Sequence, residues 1–226
     1  ELLDQANKSV ETNRQEMIVA GPIKQDMLGL AEFETEFQKR LQLVRKIDCA
    51  QPIEIGEEFC DHAGMYNPAK LGKGGVVKAD GMAYRETGKG AWDWFAYRLH
   101  DLELGAPYLA EVVIPDNRDR YIYAGIIDQW PMGFHCNYKT GEWPDHTATG
   151  SRVTGVDQPL SMGKQRIRFV FWPSSKSSAI TVMSGFRGYP AAACEINIFK
   201  IKGDLPGLKI PSSPRMFGSH NERLSV

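Results

Sequence analysis

Between Ala91 and Asp128 the chain alternates residue by residue, and this alternation limits what it can fold into more than any other feature. Phe95, Tyr97 and Leu99 share one face of an extended segment while Trp94, Ala96 and Arg98 share the other. Tyr108, Ala110, Val112 and Ile114 repeat the pattern, as do Tyr121, Tyr123, Gly125 and Ile127. Aromatic and β-branched residues suit a pleated, half-buried surface. The separators Gly105-Ala106-Pro107 and Pro115-Asp116-Asn117 form turns and stop a helix. The run therefore reads as three consecutive strands in an antiparallel meander. Such a sheet buries one face by itself and needs a second sheet, which residues 153–201 are expected to supply.

With 226 residues and 42% hydrophobic content, the chain suffices for one substantial sandwich plus an appendage. A formal net charge of −1, without a local Lys/Arg cluster, provides no field to gather nucleic acid or an anionic membrane, and neither is expected as a partner. No apolar run approaches the roughly 20 residues that span a bilayer. The chain begins at Glu1 rather than Met and reads as a mature or excised piece of something longer. Cys49, Cys60, Cys136 and Cys194 have none of the short paired spacings of a zinc site or redox dithiol, and read as buried free thiols. Of the possible disulfides, Cys49 with Cys60 is the first to check, because the segment between them is short and polar.

Residues 1–48 stand outside the β pattern and read as a helical extension or linker. Leu30, Phe33, Phe37, Leu41, Val44 and Ile47 recur at intervals of three or four, predicting a helix from Asp26 to Lys46, with a weaker one over Leu2–Met17. Residues 49–205 form the expected sandwich domain. Ile53-Glu54-Ile55 reads as a short strand and Gly64–Gly75 as a loop. Val76–Ala79 and Met82–Glu86 flank Asp80-Gly81, the strongest hairpin signal in the chain. Gln129–Gly150 is a long irregular segment rich in aromatics. Strands return at Arg166–Phe171, Ala179–Met183 and Cys194–Ile201, and the Pro- and Ser-containing residues 206–226 read as an irregular tail.

Several motifs follow in a set order: Tyr84-Arg85-Glu86-Thr87-Gly88, Trp94-Phe95-Ala96-Tyr97-Arg98-Leu99, Pro107-Tyr108 through Ile114-Pro115-Asp116, Phe171-Trp172-Pro173 and Pro190-Ala191-Ala192. This order resembles the jelly-roll, galactose-binding-like carbohydrate-binding modules attached to large bacterial glycoside-hydrolase-like proteins, over about residues 50–202. The resemblance implies an all-β, two-sheet antiparallel jelly-roll sandwich, here with an α-helical N-terminal extension. It implies a non-catalytic module that binds polysaccharide or oligosaccharide beside a catalytic domain of the same polypeptide, in an extracellular or periplasmic setting. No cofactor is required, although such modules often hold a structural calcium; Glu54, Asp61 and Glu195 are ligands of the right chemistry for one.

Sugar rings present faces of C–H groups, so a carbohydrate site combines an aromatic platform with a few planar hydrogen-bonding groups. The 129–150 segment has that mixture. Trp130 and Trp143 or Tyr138 are expected to stack on a sugar while His135, Asp145 and Arg152 bond its hydroxyls; the alternative is that Trp130 and Trp143 plug the end of the sandwich. A second candidate is the face carrying Trp92, Trp94 and Arg98, a binding strip if outward and core if inward. Jelly-roll polysaccharide lyases are a third reading, since Arg85, Gln129, His135 and Tyr138 follow one another in an order loosely like theirs. Against it, Tyr138 precedes at least three predicted strands, where those enzymes carry the tyrosine on a late one. His62, near Asp61 and Glu58, reads as an exposed turn histidine rather than a metal ligand. A ligand-free spacer packed on a catalytic domain is the alternative to the binding module.

Overall fold

The computed structural model describes residues 36–64, 73–127, 146–155, 159–176 and 178–203. By its internal contacts the chain divides between Leu41 and Gln42. The described part of the first unit is one helical turn at 36–39, closed by Arg40 N–H donating to the Phe37 carbonyl at 3.0 Å. From Leu41 onward the described chain is built from strands: β1 (Leu41–Asp48), β2 (Phe59–His62), β3 (Gly75–Ala79), β4 (Met82–Glu86), β5 (Trp94–Arg98), β6 (Tyr108–Pro115), β7 (Arg120–Ile127), β8 (His146–Thr154), β9 (Lys164–Phe171), β10 (Ala179–Ser184), β11 (Ala192–Ala193) and β12 (Glu195–Ile201).

These form a four-stranded sheet in the order β1-β12-β6-β9, a five-stranded sheet β2-β5-β10-β7-β8 and a small sheet β11-β4-β3. Setting aside β2 and the small sheet, the remaining strands number 1-8-3-6 in one sheet and 2-7-4-5 in the other. That is the jelly-roll order of two interleaved Greek keys. Within the sheets β12, β6 and β9 pair antiparallel in turn, as do β2, β5, β10, β7 and β8.

The alternation fills the space between the sheets as expected. Phe95, Tyr97 and Leu99 meet Tyr108, Ala110, Val112 and Ile114 in one buried cluster. From β7 the same cluster takes Ile122, Ala124 and Ile126, so Tyr121 and Tyr123 face away from it. Fully burying one such large apolar side chain is worth about 1.5–3 kcal/mol. The Asp80-Gly81 hairpin forms between β3 and β4 with φ of 52° and 70°, the two positive values that a type I′ turn requires.

Four expectations are corrected. The strands of 91–128 exist but do not form a meander, because β5 and β7 lie in one sheet and β6 in the other. Period-two patterning tells which side chains share a face, not which strands are neighbours. For the same reason 153–201 does not make up the second sheet, since β9 and β12 join one sheet and β10 the other. The helix over Asp26–Lys46 gives way to β1 from Leu41 onward; Leu43 and Val44 are exposed and Ile47 packs against the core. LQLVRKID satisfies both periods, and pairing into a sheet decides between them. Ile53–Ile55 is not a strand, and residues 51–58 are all exposed. Residues 26–35, the weaker helix over Leu2–Met17 and the tail from 206 lie outside the described residues.

Candidate functional site

Because Ile122, Ala124 and Ile126 face the core, the odd-numbered residues of β7 present the outer surface of the five-stranded sheet. Pairing carries this face sideways. Tyr123 lies opposite Met183 of β10 and Ser151 of β8, Met183 opposite Trp94 of β5, and Trp94 opposite His62 of β2. At one end of this face four rings make a continuous series. Trp92, on the turn before β5, stacks on Tyr123 with centroids 6.0 Å apart and planes at 27°. Tyr123 is 6.4 Å from Tyr121, and Tyr121 meets the edge of Phe186, on the turn after β10, at 4.6 Å and 84°. Trp92, Tyr121 and Tyr123 are half-buried and Phe186 is 53% exposed, so the rings are supported from below and open above.

Further along the same face the surface closes. Trp94 is 6% exposed, stacked on His62 at 5.0 Å and 20°, and grouped with Cys60, Ala96, Ile127 and Ala179. Trp94 therefore points outward from the sandwich core but offers no open ring, while Trp92 does. Arg98 lies two rows beyond Trp94, opposite Ala179, with its Nε buried. His62 is buried on β2 rather than exposed in a turn.

Arg152 belongs to β8, which begins at His146, inside the segment Gln129–Gly150 that the sequence reads as irregular. It pairs with Ile122, and a Cβ on Gly150, two residues before it, would lie 2.7 Å from Ile167 on the inner side. The exposed Arg152 side chain thus leaves β8 on the face opposite to Tyr121 and Tyr123, and its charge is felt by Asp116. Trp130, His135, Tyr138, Trp143 and Asp145 lie outside the described residues.

The nominated calcium ligands do not come together. Glu54 is exposed, Asp61 is buried on β2, and Glu195 on β12 pairs with Lys46 Nζ at 2.7 Å. Among the described residues no group of three or more His, Cys, Asp or Glu side chains is placed to hold a metal. Arg85, the first member of the lyase-like set, is committed to packing. Its Nε donates to Tyr97 Oη at 3.0 Å, its Nη2 to the Gln51 carbonyl at 3.0 Å, and its guanidinium lies 4.6 Å from the centre of the Phe59 ring.

A separate groove of about 830 Å³ runs beside β1, lined by Leu43, Val44, Arg45, Ile53, Glu58 and His100 among others. His100 Nε2 contacts both Glu58 carboxylate oxygens, at 2.8 and 2.6 Å, and Arg45 stands 3.8 Å from the same carboxylate. Among the described residues no Ser or Cys lines this groove.

Sequence reasoning nominated Trp92 but missed Tyr121, Tyr123 and Phe186. A signal was present: Ile122, Ala124 and Ile126 are aliphatic and the tyrosines interleave with them, which places the phenols on the other face. Phe186 stands between two glycines in Ser184-Gly185-Phe186-Arg187-Gly188, a context that exposes a large side chain.

No protein-family model matches the chain, and no curated protein does. Among solved structures, the chain is similar to a family 35 carbohydrate-binding module from Clostridium thermocellum, at 11% identity over 69% of this chain and 98% of that one, with a TM-score of 0.39. It is similar at 12% identity to the mannan-recognising carbohydrate-binding module TmCBM27, over 72% of this chain and 99% of that one, TM-score 0.41. BiXyn10A CBM1 in its apo form gives 12% identity over 72% and 99%, TM-score 0.45. Likeness at this level is a matter of general architecture, and the jelly-roll assignment rests on the strand order itself.

Proposed function

We propose that the chain is a non-catalytic carbohydrate-binding module and that its binding surface is the ring series Trp92–Tyr123–Tyr121–Phe186. The observation that supports this is a set of partly open aromatic faces held together at one end of a sheet, two on β7 and two on the turns beside it. Rings of this kind complement the C–H faces of sugars, and their phenol and indole groups bond hydroxyls. Ser151, opposite Tyr123, and Val153, opposite Tyr121, border the rings on β8. In the same proposal Trp130, His135, Tyr138, Trp143 and Asp145 supply further stacking and hydrogen bonds, from the segment that joins β7 to β8. A polysaccharide ligand, an attached catalytic domain and an extracellular or periplasmic setting belong to this reading. Affinity electrophoresis in gels containing xylan, galactomannan, mixed-linkage β-glucan or polygalacturonate tests it. Retardation by at least one polymer is expected, and uniform mobility in all of them overturns the reading.

One observation favours a second reading, the spacer. Leu43 and Val44 of β1 and Ile53 beyond it are exposed around the β1 groove, a surface suited to packing on a neighbouring domain. Among the described residues no helix is long and apolar enough to cross a membrane.

A further inference from the structure

Trp92 is one of few non-glycine residues held at positive φ, at 64°. An L residue in this left-handed region costs of the order of 1 kcal/mol or more, so something must hold it there. The restraint comes from the end of β10. Ser184 accepts the Trp92 N–H at its carbonyl at 3.1 Å and donates its own N–H to the Asp93 carbonyl at 2.9 Å. Its hydroxyl donates toward the carbonyls of Gly90 at 2.9 Å and Asp93 at 3.2 Å. The Asp93 carboxylate closes the same turn by accepting the Gly90 N–H at 2.8 Å. Ser184 is fully buried.

The next residue does a second job. Gly185 donates its N–H to the Tyr121 carbonyl at 3.1 Å. A Cβ added there would stand 2.7 Å from Tyr123 Cε2 and 2.9 Å from Tyr121 Cδ1. Both tyrosine rings thus lie against the space that the glycine leaves open. Their ring atoms, not backbone, are what a methyl group would push.

We infer that the Ser184-Gly185 corner is the positioning device of the aromatic strip: Ser184 pins the left-handed turn that carries Trp92, and Gly185 leaves room for the Tyr121 and Tyr123 rings to align with it. The inference rests on the proposed carbohydrate-binding reading and deepens it, because it makes glycan affinity depend on two residues that lie beneath the platform and touch no ligand.

The test uses whichever of the four polymers retards the wild-type chain, titrated calorimetrically at 20 °C, with far-UV circular dichroism establishing that each variant is folded. S184A keeps the two backbone bonds to the turn but removes both hydroxyl bonds, to the Gly90 and Asp93 carbonyls, and is expected to weaken binding about five- to tenfold. G185A, which displaces two rings, weakens it at least as much. A merely structural role would lower the melting temperature of both and leave the affinity of the folded protein alone. A double-mutant cycle with W92A separates the two cases. In the W92A background S184A should cost no further affinity while still lowering the melting temperature, because the ring it positions is gone. If S184A fails to fold, G185A in wild-type and Y123A backgrounds carries the same comparison. Wild-type affinity in folded S184A and G185A, with W92A impaired, overturns the inference and leaves the binding reading standing. Failure of the wild-type chain to bind any of the four polymers overturns both.

Discussion

Arg120 is fully buried and donates through Nη1 to Glu86 Oε2 at 2.8 Å. The same guanidinium reaches the Pro190 carbonyl at 3.2 Å and Asn117 Oδ1 at 3.1 Å, and lies 5.0 Å from the centre of the Tyr84 ring. Glu86 also pairs with Arg118. Since Glu86 is on β4 and Arg120 on β7, the contact ties the small sheet to the sandwich. Glu86→Ala leaves two guanidinium groups facing each other without their counter-charge and is expected to cost about 3–5 kcal/mol in urea-induced unfolding. The double replacement Glu86→Leu with Arg120→Met, apolar on both sides, should cost much less. A loss below about 1 kcal/mol for Glu86→Ala would show that the pair does not hold the sheets together.

Asp61 gives the chain a pH dependence of the less usual sign. Burial pushes its carboxyl up to about 6, helped by the nearby Asp93 charge and opposed by Arg85 and the Gly74 N–H. The folded chain therefore keeps a proton on Asp61 at pH values where the unfolded chain has lost it. The resulting stabilisation is complete below about pH 4 and fades as pH rises through about 6. Asp61→Asn should be more stable than wild type at pH 8, by roughly 1–3 kcal/mol, with the advantage shrinking to nothing near pH 4. Denaturation curves at the two pH values check this; an Asn variant equally or more destabilised at pH 8 contradicts it.

The cysteines make a chemical prediction. Cys49, Cys60 and Cys194 are free and buried, and burial raises all three thiols above their ordinary range. Cys49 belongs to the cluster between the sheets and Cys60 to the one on the outer face, so the disulfide first suggested by their spacing is not formed. In the native protein at pH 8 these three should resist Ellman's reagent for as long as the chain stays folded, and react on addition of denaturant. Rapid labelling of any of the three, located by peptide mapping, would contradict their placement.

The β3–β4 hairpin separates backbone conformation from space. Gly81 has φ of 70° with open space around its Cβ position, whereas Gly75 has open space and no such dihedral. Gly81→Ala should cost about 1 kcal/mol in thermal or urea melts and Gly75→Ala clearly less. Equal effects would mean that the turn is not held in its left-handed form.

Much of the sandwich was legible in the sequence because period-two patterning is a local property. The core faces of β5 and β6 and the Asp80-Gly81 turn need no knowledge of distant partners. Sheet membership does need it: β10 enters between β5 and β7 from more than fifty residues away, and nothing in Ala179–Ser184 names its neighbours. The strand β1 was misread because Leu41, Val44 and Ile47 suit a helical stripe as well as an edge strand. The site was half legible. Trp92 drew notice as a tryptophan, but its partners were read as strand filler, since which face of β7 is outward depends on the sheet behind it. The face that Arg152 occupies was not legible for a related reason: on a strand, a one-residue change of parity moves a side chain to the opposite face.

Whether the outward rings at the end of the five-stranded sheet receive a sugar chain is decided by calorimetric titration of the Trp92→Ala, Tyr123→Ala double variant with a polysaccharide that the wild-type chain retains. Affinity is expected to fall about tenfold or more while far-UV circular dichroism stays that of the wild type. Wild-type affinity in that folded double variant would contradict it.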